Sequence, residues 1–143
     1  MVEFEELKAL EYPFNWKILN RKKKKKIKKM ILSEKKSFLE KKIAILGGST
    51  TSEIKNTIEV FLLKEGIKPI FYESEYNKYY EDALFSEELI KFNPEIIYIH
   101  TNIRNIDNFA SIGFSEEENK KRLHIEKEKF KKIWENLFSK FSC

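Results

Sequence analysis

Ile43-Ala44-Ile45-Leu46-Gly47-Gly48-Ser49-Thr50-Thr51 decides the fold. A continuous run of four apolar residues between Lys-Lys and Gly-Gly reads as a strand buried on both faces, as in a parallel sheet. The paired glycines permit a tight turn, and Thr50 followed by Glu53 spells a capping box at the start of a helix. Ile54, Ile58, Phe61 and Leu62 recur at helical spacing, and Gly66 stands where a C-terminal cap belongs. Ile67 to Tyr72 reads as a second strand, with Pro69 tolerable only at a sheet edge. A helical stretch over Glu81 to Phe92 closes at Asn93-Pro94, and Ile96 to Ile99 reads as a third strand. Glu116 to Phe141 predicts a long amphipathic helix with a stripe of Phe130, Ile133, Trp134, Leu137, Phe138 and Phe141.

This alternation of strands and helices predicts an α/β fold, a three-layer α/β/α sandwich on a parallel sheet. The first strand lies centrally, giving the order second, first, third. Interior positions are Ile43, Ile45, Ile58, Phe61, Leu62, Ile97, Ile99, Ile133, Trp134 and Leu137. Residues 1–40 read as a basic helical leader and 41–143 as the α/β domain. In the leader, Pro13 starts or breaks a helix, and Trp16, Ile18, Leu19, Ile27, Met30, Ile31, Phe38 and Leu39 supply apolar positions among lysines.

A sheet of this order binds ligands beyond the carboxyl ends of its strands, at the switch point. The turn Gly47-Gly48-Ser49-Thr50 falls there, as do His100, Asn102 and Arg104 after the third strand. Free backbone N–H groups at a helix start would stabilise an oxyanion formed at Ser49 or hold an anion. Ser49 or Thr50 as a simple helix cap is the competing reading. Asn102 can direct an amide donor at an oxyanion on Ser49. His100 is a candidate base, weighed against a structural hydrogen-bonding role. Gly47, Gly48, Thr50 and Arg104 are the candidate ligand contacts. The turn is neither a Walker loop, since no Gly-Lys-Ser/Thr follows, nor a dinucleotide fingerprint, since the third glycine is missing.

Composition narrows the class further. The chain has 143 residues, 41% hydrophobic and 14% aromatic, which excludes disorder along its whole length. The acidic start lacks the apolar core of a signal peptide, and no run approaches a membrane span. One cysteine, Cys143, fits a reducing cytoplasm, and with only two histidines no zinc site of ordinary spacing can be built. No metal or cofactor is expected. The net charge of +5 is concentrated in Arg21–Lys29, eight basic residues in nine positions, without which the remainder is slightly acidic. Without interleaved aromatics this block reads as a solvated helix face and disfavours a nucleic-acid partner.

The run Ile43 to Ser49 resembles the first block of SGNH/GDSL hydrolases, in which a strand ends in Gly-Asp-Ser and the serine is the nucleophile. Ile97 to Asn102 resembles their third block, ending in Gly-x-Asn. More closely, the stretch from about Asn15 to Ile106 resembles the N-terminal domain of FkbH-like proteins. Leu46 to Thr51, Tyr72 to Tyr79 and Asn102 to Ile106 carry the likeness. In that family an SGNH-like domain precedes a haloacid-dehalogenase-like domain that loads a glyceryl unit onto an acyl carrier protein. The resemblance implies a flavodoxin- or SGNH-like sheet, incomplete because further strands would follow the final helix. It also implies an acyl carrier protein or a haloacid-dehalogenase-like domain as partner.

Departures from the pattern shape the functional expectation. Gly48 stands in place of the block-one aspartate and His100 in place of the block-three glycine, and no glycine follows the second strand. The Asp-x-x-His block that supplies acid and base is missing. With only Asp82 and Asp107, the chain cannot hold the Asp-x-Asp motif of phosphotransfer. A serine without a base is a weak nucleophile. The leading expectation is therefore a non-catalytic SGNH-like module that docks a domain or carrier protein. The alternative is a serine ester hydrolase or acyltransferase with Ser49 as nucleophile and Asn102 in the oxyanion hole.

Overall fold

The computed structural model describes residues 7–11, 19–34 and 37–142. Pro13, Trp16, Ile18 and Cys143 lie outside the described residues. The fold is α/β, with a three-stranded parallel sheet in the order β2-β1-β3 and flanking helices. The strands are β1 (Leu39–Gly47), β2 (Ile67–Glu73) and β3 (Ile96–His100). The helices are α1 (Arg21–Glu34), α2 (Ser52–Lys64), α3 (Tyr79–Phe85), α4 (Glu87–Phe92) and α5 (Glu116–Lys140). Among the described residues no helix is long and apolar enough to cross a membrane.

The central position of β1 follows from its composition. Ile43 to Gly47 are all buried, so both faces of this segment are covered, and β3 pairs with it in parallel from Ile43–Ile96 to Gly47–His100. β2 takes one edge, where the missing N–H of Pro69 is tolerated. Gly66, between α2 and β2, has φ of 83°, a left-handed conformation that glycine adopts without steric cost and that ends the helix.

By backbone contacts the chain divides into two compact units, one of residues up to Lys41 with Ser52–Ile70, the other of Lys42–Thr51 with Phe71 onward. In the first unit α1 packs on α2. Ile27 and Ile31 of α1 join Val60 and Leu63 of α2 with Leu10 and Leu19. Lys24 sits within the basic block yet is buried, its stem covered and its Nζ donating to Glu53 Oε2 (2.7 Å) and Thr57 Oγ1 (3.1 Å). Lys28 Nζ reaches Glu59 Oε1 at 2.6 Å. The Lys24 bond and charge hold the Glu53 carboxyl below its ordinary 4.5, so this pairing is complete above that pH and lost as pH falls through the lowered value. Glu53, read from sequence as the acidic arm of a capping box, is thus directed at α1.

In the second unit the core gathers Ala44 and Leu46 of β1, Tyr79 and Ala83 of α3, Leu89 of α4, and Ile133 and Leu137 of α5. The helical stretch expected over Glu81 to Phe92 is two helices, not one. Ser86 breaks it with an extended backbone (ψ 112°), and its Oγ accepts from Leu89 N to start α4. Side chains of α5 complete the end of α3: Asn136 Nδ2 donates to Ala83 O (2.6 Å) and Lys140 Nζ to Leu84 O (2.7 Å), satisfying carbonyls a helix end leaves open.

Six of the ten expected interior positions are less covered than their pattern suggests. Ile43, Ile45, Ile133 and Leu137 are buried, whereas Ile58, Phe61, Leu62, Ile97 and Ile99 are half-buried. Trp134 is 54% exposed. The buried stripe of α5 runs through Ile133 and Leu137, and Trp134 and Phe138 follow each by one residue, about 100° further round the helix.

These differences set a stability contrast. Ile45→Ala, at a fully buried site, should cost about 2–5 kcal/mol in chemical denaturation. Trp134→Ala should cost less than about 1 kcal/mol, because its truncation opens little interior space.

Candidate functional site

The loops that leave the three strands at their carboxyl ends are tied together by side chains of the second unit. Thr51, buried after the β1 turn, donates from Oγ1 to Glu73 Oε1 at the end of β2 (2.7 Å). Ser74 N donates to Ile45 O at 2.9 Å, holding the start of the next loop against β1. Gly48 N donates to His100 O at 2.7 Å, extending the pairing of β1 and β3 past the strand ends.

The centre of the network is Asn105, in a short 3₁₀ turn (Ile103–Asn105) after β3. Its buried amide donates to Gly48 O (2.8 Å) and Asn77 Oδ1 (2.9 Å), and its Oδ1 accepts from Asn102 N (2.8 Å). One side chain therefore joins the loops following all three strands. A Cβ at Gly48 would lie 2.4 Å from Asn105 Oδ1, so the close approach requires glycine there. Gly47 has a similar constraint, with Thr51 Cγ2 at 2.8 Å from its hypothetical Cβ. Asn77 takes φ of 62°, the left-handed region that asparagine tolerates better than most side chains.

The sequence-selected residues occupy this end of the sheet with different roles. Ser49 is half-buried and Thr50 exposed in the turn after β1. Asn102 is exposed, and its Oδ1 accepts from Arg104 N (2.8 Å) as the cap of the 3₁₀ turn. His100 lies beside Tyr98 on the same strand face, ring centroids 6.0 Å apart and Nδ1 3.4 Å from the tyrosine hydroxyl. His124 is exposed on α5. Among the described residues no hydrogen bond joins Ser49 to either imidazole or to Asn102.

Arg104 lines an open cleft of about 420 Å³ together with Asn77, Tyr79, Asn105, Glu126 and Lys129. The α5 side of this cleft was not legible in the sequence. Glu126 is buried, and its Oε1 accepts from Asp107 N (3.2 Å), Asn108 N (3.0 Å) and Asn108 Nδ2 (2.8 Å). Lys129 Nζ donates to Asn105 O (2.9 Å) and Asp107 Oδ2 (2.7 Å). Burial pulls the Lys129 ammonium down, but hydrogen bonds and charge from Asp107, Tyr79 and Glu126 outweigh it and raise its pKa above 10.5. Lys129 is therefore a fixed cation at neutral pH and no proton acceptor.

A second cluster surrounds Asp82, whose Oδ2 accepts from Ser74 Oγ (2.6 Å) and Tyr72 OH (3.0 Å). Burial pushes the Tyr72 hydroxyl up, opposed by its bond with Ser86 and reinforced by Asp82. These groups brace the loop after β2. Their signal in the sequence was one of only two aspartates, placed at the second residue of a helical pattern where its partners could not be read.

Comparison with protein-family models, with curated proteins and with solved structures gave no match.

Two outcomes follow from the geometry. Gly48→Ala should destabilise the protein by about 1–3 kcal/mol through the clash with Asn105. The same substitution should cost measurably less in an Asn105→Ala background, a coupling that a double-mutant cycle reads directly. Lys129→Met should cost about 1–3 kcal/mol at neutral pH by leaving the buried Glu126 carboxylate without its neighbouring cation and Asn105 O with only the longer Tyr79 hydroxyl contact. A raised lysine pKa stabilises fully below the unfolded value, so the gap from wild type should narrow only as pH climbs above 10.5 in urea titrations.

Proposed function

We propose that the chain is a non-catalytic SGNH-like module, of the kind that precedes the haloacid-dehalogenase-like domain in FkbH-like proteins, and that it serves docking or carrier-protein binding. The observation that carries this reading is where the polar side chains at the Ser49 end of the sheet make their contacts. His100 turns its Nδ1 along its own strand toward Tyr98, and Asn102 caps the turn that holds Asn105. A serine hydroxyl needs an adjacent base to attack an acyl carbonyl at neutral pH. The arrangement instead favours Ser49 and Thr50 as parts of a rigid turn beside a polar cleft.

The basic helix supports the docking half of the proposal. Lys24 and Lys28 of α1 are engaged with α2, while Arg21, Lys22, Lys25 and Lys29 are exposed. Acyl carrier proteins are acidic, and such a face would steer them electrostatically.

Titration of an acidic acyl carrier protein against the full chain tests this. Binding should weaken at least about tenfold as salt rises from low to a few hundred millimolar, and should be lost when Lys22, Lys25 and Lys29 are changed to Glu. Hydrolysis of p-nitrophenyl acetate should match that of Ser49→Ala. Turnover abolished by Ser49→Ala would establish the hydrolase reading instead, and salt-independent carrier binding would remove the role given to α1.

A further inference from the structure

The two edges of the sheet are built differently. β2 carries Lys68 and Pro69, the first ion-paired with Glu40 Oε1 at 2.9 Å, the second without a backbone donor. Charge and proline are the usual means of keeping an edge strand from pairing with another chain. β3 has neither: its sequence is Ile-Ile-Tyr-Ile-His, β-branched or aromatic at four of five positions. Beside it runs a largely apolar groove of about 320 Å³, lined by Ile96, Ile97, Ile99, Trp134, Leu137 and Phe138, with Glu95 at its border, whose carboxylate accepts from Lys42 N at 3.0 Å. Phe138 is 72% exposed and Ile96 49%.

We infer that this edge and groove form the self-association surface of the protein, occupied by the same face of a second copy. A two-fold axis requires one patch to be complementary to itself. Here each copy offers both halves of such a contact, a free strand edge and an adjacent apolar helix face. Antiparallel pairing of β3 with its counterpart would satisfy the edge N–H and C=O groups and bring the two α5 faces together. The area is sufficient. Covering the exposed parts of Trp134 and Phe138 alone would remove on the order of 250 Å² per copy. That is about half of the ~500 Å² per partner that a small specific interface needs, and Ile96, Tyr98 and the paired backbone supply more. The inference is independent of any role for Ser49 or α1.

Sedimentation analysis of the full chain over about 1–200 μM reads the outcome. The expected result is a reversible dimer of twice the 17.2 kDa chain mass. Phe138→Glu and Trp134→Glu, both at exposed positions, should each raise the dimer dissociation constant by at least about 30-fold while leaving the far-UV circular dichroism unchanged. A measurement without substitutions accompanies these: amide exchange over 96–100 should slow as concentration rises, while exchange over 67–73 should not. A monomer throughout the range, or a dimer that survives both substitutions with unchanged exchange in β3, would overturn the inference.

Discussion

The amide of Asn105 is the constraint on which the candidate site depends. A buried carbonyl at Gly48 must have a hydrogen-bond partner, and the turn after β1 is too tight to supply one from its own backbone. The partner arrives from the loop after β3, and the same amide group also holds Asn77 after β2. This arrangement works only if position 48 has no side chain, since a Cβ would meet Asn105 at 2.4 Å. The departure of Gly48 from the Gly-Asp-Ser pattern therefore has a physical counterpart. An aspartate at 48 and the observed placement of Asn105 exclude each other, and the chain has the asparagine.

That exchange explains how much of the site could be read in advance. The strand, the glycine turn and the location of Ser49, His100, Asn102 and Arg104 at one end of the sheet all follow from local pattern and from the rule for parallel sheets. The importance of Asn105 does not. It depends on a contact across 57 residues of chain, and neither spacing nor residue type distinguishes it from Asn102 three positions earlier. Glu126 and Lys129 were hidden for a related reason. On an exposed helix rich in both charges, Glu-x-x-Lys reads as a solvated pair, and only the packing of the 105–108 loop shows that one carboxylate oxygen receives three N–H donors.

The fold was legible wherever one residue type had one use. Ile43 to Leu46 reads as a strand covered on both faces, and Gly66 ends a helix in the left-handed conformation. It was illegible where a residue had two. Ser86 is acceptable inside a helix or at its start, and the competition between its hydroxyl and the helical backbone resolved toward a cap. Thr50 and Glu53 spell a cap equally well, yet the Glu53 carboxylate is drawn to Lys24, where a buried ammonium has greater need of it.

The same logic of prior commitment bears on chemistry. A group can act on a substrate only through the hydrogen-bonding capacity that holding the fold leaves over. Here the potential actors divide cleanly. Lys129 is kept charged by three neighbours and bound to a carbonyl and a carboxylate, so it can attract an anion but cannot accept a proton. Asn102 has its carbonyl oxygen fixed by Arg104 N, which orients its amide without adding a base. Arg104 is exposed at the cleft rim, where its planar guanidinium presents a rigid fork of donors. Recognition needs fixed charges and oriented donors, whereas acyl transfer also needs a group whose protonation changes during the reaction. At this end of the sheet Lys129 brings a fixed charge, Arg104 a guanidinium and Asn102 an oriented amide, whereas His100 has its Nδ1 3.4 Å from the Tyr98 hydroxyl and His124 is exposed on α5.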